Sequence, residues 1–557
     1  MSMHGRVGAF AIALVLLGCA GAPAPVIAVP APETGAVLAG KISAWLGDPG
    51  RPLPAVGERD RAMLARVYRA RDYRPIWLGQ NQPGARLLRV LDRSAEEGID
   101  PRDLAVDRLR AAETGRTPPD AASELQFSES FLSYAAMLAG GRIDPATIES
   151  DWTLPRPAFD TAVALTRVAQ GQDAEAVLDG LAPTSAEYLK LRAALRVYRD
   201  MRLTGPWPTL PSDAALALGD RGPTVDLLRA RLTAEGYLPT ANHAGEAFDP
   251  ALDQALRRFQ ARQGLTVDGR LGTATAAALN VDLDRRIRQI ELNLERLRAM
   301  AHDWPQTRIV VNAAAQSLAF YRAGALILES PVIVGDPQHP TPVTAAQVGV
   351  VIFNPAWNVP ESILRNEIQP KLQRDPGYLL RNHMRIVGRT NGDPYGSDLD
   401  WRSTNILARG WELQQEPGPW NSLGVVALEM PNPFDVYLHD TPAKAAFTQA
   451  YRALSHGCIR VQAIRELAAT LLGGSWSADS IEPLVADGHT LRVPVAEPVP
   501  VYLVYLTAFV DADGSVEFRD DVYGRDARLA AALARLQGLQ ESSSADGAAG
   551  GKGCPTS

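Results

Sequence analysis

The period of the apolar positions changes along this chain and divides it. From about Lys41 to Met201 they recur at helical spacing, as in Met63 and Val67 and in "LLRVLDRSAEEGI", while "GIDP" and "GRIDP" stop helices with Gly and Pro. Residues 41–212 therefore read as a helical domain without a chemical signature. Between Gly219 and Asn280, Val225, Leu228 and Leu232 form one helical stripe and Leu252, Leu256 and Phe259 a second, ended by Gly264. Thr273 can cap a third short helix, which predicts a small three-helix core over 213–281. "DRRIRQIELNLERLRAM" reads as a connecting helix within 282–306.

From Arg308 the texture turns to short β-branched and aromatic runs punctuated by Gly, Pro and Asn, in "RIVVNAAAQSLAFYRAGALILESPVIVG" and "VGVVIFNPAWNVP". These are strands of a mostly-β domain over 307–494. Within it, 361–424 loosens into a polar, Trp-bearing stretch, expected to be an insertion that acts as a lid. Strand character returns in "GVVALEMPN" and "FDVYLHD", where a period of two puts Asp435, Tyr437 and His439 on one face. A helical excursion, "TPAKAAFTQAYRAL", with Asp440 or Thr441 as N-cap and Pro442 in its first turn, then leads to "SHGC". Residues 495–541 read as a C-terminal extension and the Gly/Ser-rich 542–557 as a disordered tail. The fold class is multidomain α+β: a helical N-terminal scaffold, a three-helix module and a mostly-β domain with an inserted lid.

At 557 residues the chain is too long for one compact domain. Its 56 basic and 63 acidic residues give a net charge of -7, without a Lys/Arg cluster dense enough for a nucleic-acid footprint. The N-terminus has a positive residue, Arg6, and an apolar stretch, Val7 to Gly18, too short to span a bilayer, which makes 1–18 an export signal. "LLGC" resembles the lipobox of bacterial lipoproteins, which implies lipidation of Cys19, whereas "CAGAPA" also offers ordinary signal cleavage. The expected location is the periplasm or cell envelope, with a lipid anchor on the membrane surface if Cys19 is acylated. The Pro/Ala-rich 19–40 would then be an extended linker.

Of the three cysteines, Cys19 is lipidated or removed and Cys554 lies in the tail, which leaves Cys458 as a solitary thiol in an oxidising compartment. A thiol attacks as thiolate, so a catalytic cysteine needs an imidazole to take its proton. His456 lies two residues away and His439 approaches from another strand; the residues alone do not rank them. Gly457 lets the backbone approach a substrate carbonyl, and its N–H and that of Cys458 are candidate oxyanion donors. Three blander readings stand beside this: a Cys458–Cys554 disulfide, a zinc site from His439, His456 and Cys458, and a core cysteine with two satisfied histidines.

Two resemblances extend the reading. G-x-x-G-x-x-V-x-x-L, F-Q-x-x-x-G-L-x-x-D-G and G-x-x-T in 213–281 resemble the peptidoglycan-binding module of cell-wall enzymes. "HDTPAKAAFTQAYRALSHGCIRV", with "FNPAWNVP", "PGPWNSLG" and "MPNPFDVYLHDTP" around it, resembles the L,D-transpeptidases, in their large scaffolded subgroup. That resemblance implies that Cys458 is the nucleophile and His439 the general base, oriented by the backbone carbonyl of Asp440. His456 and Gly457 support the motif, Tyr437 helps form the oxyanion hole, and Ser455 and Arg460 shape the pocket. It further implies cross-linking of peptidoglycan stem tetrapeptides with release of D-Ala, no metal or organic cofactor, and acylation by carbapenems. An L,D-carboxypeptidase, a lipoprotein–peptidoglycan ligase or hydrolase, and a non-catalytic wall-binding scaffold are the alternatives.

Overall fold

The computed structural model describes residues 35–51, 58–78, 83–114, 116, 120–239, 246–511 and 513–549. The export signal, Cys19 and Cys554 lie outside the described residues. The expected linker ends early: a helix, Gly35–Gly47, starts inside it and buries Leu38, Ile42 and Leu46.

The N-terminal region is helical, as its periodicity requires. Its longest helix, Ala121–Gly140, is buried on nearly every side, with Phe127 and Phe131 against Trp77. The small module holds helices Pro223–Ala234, Pro250–Arg262 and Thr273–Leu279 around Leu228, Leu252, Leu256 and Phe259. Thr273 is the first helical residue there and Gly272 the cap, so the expected Thr cap is shifted by one position.

The connecting helix, Leu283–Ala299, is a buried spine. Its Arg298 donates to the Glu97 carbonyl at 2.7 Å, to the Tyr188 hydroxyl at 3.1 Å and to the Glu295 carboxylate at 2.8 Å. Glu295 in turn pairs with Arg142 of the N-terminal domain. Asn293 bonds Thr507, beyond the end of the main sheet, so this one helix ties both regions together.

Fourteen strands follow among the described residues: β1 Arg308–Asn312, β2 Ser317–Arg322, β3 Ala325–Gly335, β4 Thr344–Phe353, β5 Trp357–Asn358, β6 Met384–Val387, β7 Glu412–Gln415, β8 Val426–Glu429, β9 Leu438–His439, β10 Ala453–Ser455, β11 Ile459–Val461, β12 Leu491–Val504, β13 Ala508–Val510 and β14 Val516–Phe518. The main sheet runs β10-β3-β11-β9-β8-β4-β12-β1-β2, and β2 also pairs with β3. That pairing closes the sheet on itself and removes its open edges, with β10 as a side branch on β3. Ile309, Val332, Val351, Leu438, Ile459 and Val501 fill its core.

Three expectations are corrected here. The boundary at 494 falls inside β12, which pairs with both β4 and β1, so residues up to Val504 belong to the main sheet. The Pro and Glu residues of "VPVAEPVPVYL" mask this strand in sequence; the ladder tolerates them through a register shift between Pro494 and Val499. The helix Arg525–Ala549 runs into the expected disordered tail, because its Ala- and Leu-rich start propagates helix past 541. "TPAKAAFTQAYRAL" is no α-helix: only a 3₁₀ segment, Lys444–Thr448, forms, and Ala453–Ser455 is taken up by β3 as strand β10.

The insertion is a folded unit. β5, β7 and β6 form a three-stranded sheet over Leu364, Ile368, Leu372, Trp401 and Leu413. It is therefore a packed body with its own core rather than a loop.

Leu503 lies beyond the boundary read from sequence but is fully buried in the sheet. Leu503→Ala is expected to cost about 2–5 kcal/mol, measured as a shift of the denaturant midpoint of the full-length protein. An effect below about 0.5 kcal/mol would mean that β12 is an appendage.

Candidate active site

The short strands β9 and β11 run parallel, with Ile459 opposite Leu438 and Arg460 opposite His439; the Ile459 N–H donates to the Tyr437 carbonyl at 2.9 Å. This register puts Tyr437, His439, Cys458 and Arg460 on one face while Leu438 and Ile459 enter the core. Sequence-distant His439 is thereby a neighbour of the thiol across the strand pair.

His439 is buried, and its Nδ1 lies 2.5 Å from the Asp440 carbonyl oxygen. A carbonyl only accepts, so Nδ1 carries the hydrogen and Nε2 keeps its lone pair for a proton. Asp440 is held in turn: its carboxylate accepts from the Val425 N–H at 3.1 Å and pairs with Lys444. Gly424 takes φ +63°, and a Cβ there would overlap the Asp440 side chain, so this contact requires glycine. Gly424 and Val425 are support that the motif reading missed; the segment "SLG" enters the sequence reading only through the resemblance.

The turn that carries the thiol is braced from several sides. Ser455 Oγ donates to the Cys458 carbonyl at 2.6 Å and accepts the Gly457 N–H at 3.2 Å. The Gly457 N–H is therefore occupied, a correction to its expected oxyanion role that leaves the Cys458 N–H. Gly457 has φ +106°, a conformation that strains any residue with a Cβ. Thr341 Oγ1 donates to the Gly457 carbonyl and accepts the Gly335 N–H, both at 2.9 Å. The Tyr523 hydroxyl donates to the Gly335 carbonyl at 2.7 Å. Thr341 and Tyr523 carry no local signal of this role.

Asp435 departs from the expected strand. The Asn432 carboxamide caps a turn, bonding the Met430 and Val436 carbonyls, and Asp435 takes φ +53°. Its carbonyl oxygen lies 3.9 Å from Cys458 Sγ.

His456 turns away from the thiol and toward the lid. Its Nε2 lies 2.6 Å from Glu367 Oε1, and its ring is 4.6 Å from that of His339, which pairs with Asp336 at 3.1 Å. Glu367 sits on a π-turn, Leu364–Ile368, inside the insertion. Among the described residues no three His, Cys, Asp or Glu side chains are placed to hold a metal, and the three ligands of the zinc alternative do not converge. Cys458 is a free thiol, and Cys554 of the disulfide alternative lies outside the described residues.

Burial sets the resting protonation. Desolvation, and then the Arg460 charge, pull His439 down to about 4. Desolvation also raises Cys458, against the opposing pull of the Tyr437 N–H and Arg460. At neutral pH the site rests as neutral thiol and neutral imidazole, poised for proton transfer rather than as an ion pair.

Residues 306–499 match the L,D-transpeptidase catalytic domain family, 221–279 a provisionally described peptidoglycan binding domain, and 62–195 a scaffold domain. Over 242 residues the chain is 33% identical to a Haemophilus influenzae protein provisionally named L,D-transpeptidase, covering 43% of this chain and 48% of that protein. Over 82 residues it is 45% identical to an N-acetylmuramoyl-L-alanine amidase of Mycobacterium tuberculosis, covering 13% of this chain and 20% of that one. The chain thus spans about half the length of the first relative and a fifth of the second. Similar solved structures include L,D-transpeptidase 1 of Mycobacterium tuberculosis, at 14% identity and TM-score 0.15 over 37% of this chain and 64% of that one. A cysteine-to-serine mutant of the Enterococcus faecium L,D-transpeptidase matches at 12% identity and TM-score 0.16 over 52% of this chain and 96% of that one. Scores this low carry no argument about the site.

Two expectations follow from the geometry. Unfolded histidine protonates near pH 6.5, whereas native His439 stays neutral down to about 4. Between those values the unfolded state binds more protons, so stability falls as pH falls, by up to about 3 kcal/mol, and the loss levels off below the folded value. Denaturant unfolding at stepped pH should show this loss in the wild type and not in His439→Gln. For the lid contact, Glu367→Ala is expected to cost no more than about 1 kcal/mol of global stability while raising the rate of Cys458 alkylation by iodoacetamide several-fold. An unchanged alkylation rate would show that the pair does not hold the lid down.

Proposed function

We infer, from the premise that this chain belongs to the L,D-transpeptidase family with its scaffold domain, peptidoglycan-binding module and catalytic domain, that it cross-links stem peptides through a Cys458 thioester. The observation that carries the reading is the parallel β9–β11 pair, which sets a tautomer-fixed imidazole beside a solitary thiol.

In the first half-reaction His439 Nε2 takes the thiol proton as Sγ attacks the carbonyl of the third stem residue. The tetrahedral intermediate collapses with cleavage of the peptide C–N bond. His439 passes its proton to the leaving D-Ala amine, and a thioester remains. An amine of a second stem then attacks the thioester and gives a proton to His439, the C–S bond breaks, and the proton returns to sulfur. The Cys458 N–H would face the oxyanion, a contribution of roughly 3–4 kcal/mol per donor in enzymes of this kind. The lid would exclude water, which otherwise diverts transfer to hydrolysis. The three-helix module would hold the wall polymer, and Cys19, where acylated, would tether the enzyme to the membrane surface. Among the described residues no helix is long and apolar enough to cross a membrane.

Purified protein given disaccharide-tetrapeptides should yield dimers that have lost one D-Ala, detected by mass spectrometry. Trimmed monomers instead would make it a carboxypeptidase, and no change would leave a wall-binding scaffold. Cys458→Ala should reduce product formation by at least about 10³-fold. The same substitution should remove the mass adduct that a carbapenem leaves on the wild type.

A further inference from the structure

Arg460 is unusual among the half-buried and buried arginines of this molecule. Arg231, Arg298 and Arg525 are each held by carboxylates and other acceptors. Arg460 has no hydrogen-bond or ion-pair partner among the described residues, and its buried Nε is left without an acceptor. An unpaired guanidinium partly removed from water is costly, and a fold has no need to keep one for its own stability. It stands two residues from Cys458 on the same strand face and in register with His439, so it faces the reaction centre.

We propose that Arg460 receives the free terminal carboxylate of the donor stem. The proposal rests on the reading above and names the group that this reading leaves without a partner. On a strand, Cys458 and Arg460 are about 6.6 Å apart along the backbone. The carboxylate of the leaving residue lies one residue, roughly 3.5 Å of chain, past the attacked carbon. A guanidinium bending back toward the thiol spans that difference, and its planar fork matches a carboxylate with two parallel bonds. Asp435 lies on the other side of the sulfur, its backbone carbonyl against Sγ and its side chain exposed. Its negative charge disfavours a carboxylate there, which fixes the direction in which the donor lies.

The test compares two donors, a disaccharide-tetrapeptide with a free C-terminal carboxylate and the same compound as its C-terminal carboxamide. Wild-type protein should prefer the acid by at least about 10-fold in kcat/KM, as a charge-assisted bond requires. Arg460→Gln should collapse that ratio toward one, and Arg460→Lys, with charge but no fork, should restore part of it. If Arg460 serves only to stabilise the thiolate, both donors fall together and the ratio stays put, which overturns the proposal. Calorimetric binding of both donors to Cys458→Ala, with and without Arg460→Gln, needs no turnover. Preference for the acid in binding without any product would sink the transpeptidase reading and keep the carboxylate site. Product without preference would do the reverse.

Discussion

The parallel pairing of β9 with β11 is the constraint on which this molecule's chemistry depends. It is two residues long, yet it alone decides that His439 and Cys458 share a face. A slip of one residue would drive the imidazole or the thiol into the core and bring Leu438 or Ile459 out. So short a pairing cannot hold its own register. Its register is fixed from outside, by Leu438 and Ile459 buried beneath it, by β8 and β3 on its flanks, and by the Ser455 and Thr341 bonds that brace the turn. The closed sheet is thus the means by which a weak local contact becomes a rigid one.

Rigidity reaches the site from far along the chain. The turn at Gly457 is held by Thr341, Thr341 shares Gly335 with Tyr523, and Tyr523 stands beyond the last strand of the sheet. Nearby, Arg525 bonds Glu149 and Asp151 of the N-terminal domain, and the Thr153 N–H donates to the Val343 carbonyl. The scaffold is therefore bonded to the wall of the site as well as to the connecting helix. Its long buried helices supply a stiff body for that contact, which explains a large helical domain that brings no reactive side chain.

Much of this was legible in the sequence because periodicity reports burial directly. The three-helix module, the helical N-terminal region and the alternating strands each expose one face and bury another, and each appears where its pattern places it. The resemblance implies the roles of His439 and the Asp440 carbonyl, and the fold puts Nδ1 2.5 Å from that oxygen. Illegible were the features that depend on partners remote in sequence. The spacer after His439 is rich in good helix formers, but β3 offers Ala453–Ser455 a ladder and the helix is not made. β12 hides behind its prolines for the same reason, since only its neighbours reveal it. Glu367 is one carboxylate among many until the fold sets it on His456.

The two histidines of the motif are separated by environment more than by position. His439 is buried, bonded through one nitrogen, and kept neutral, so it can accept a proton when substrate arrives. His456 is partly exposed and its Nε2 is occupied by Glu367 of the insertion. A half-exposed ion pair is weak, so this contact adds little to the stability of the fold. In the transfer proposed above, charge would develop beside Arg460, the Cys458 N–H and the fixed imidazole. His439 and Cys458 themselves rest uncharged beside the Arg460 guanidinium, and that guanidinium is the group with something still to bind.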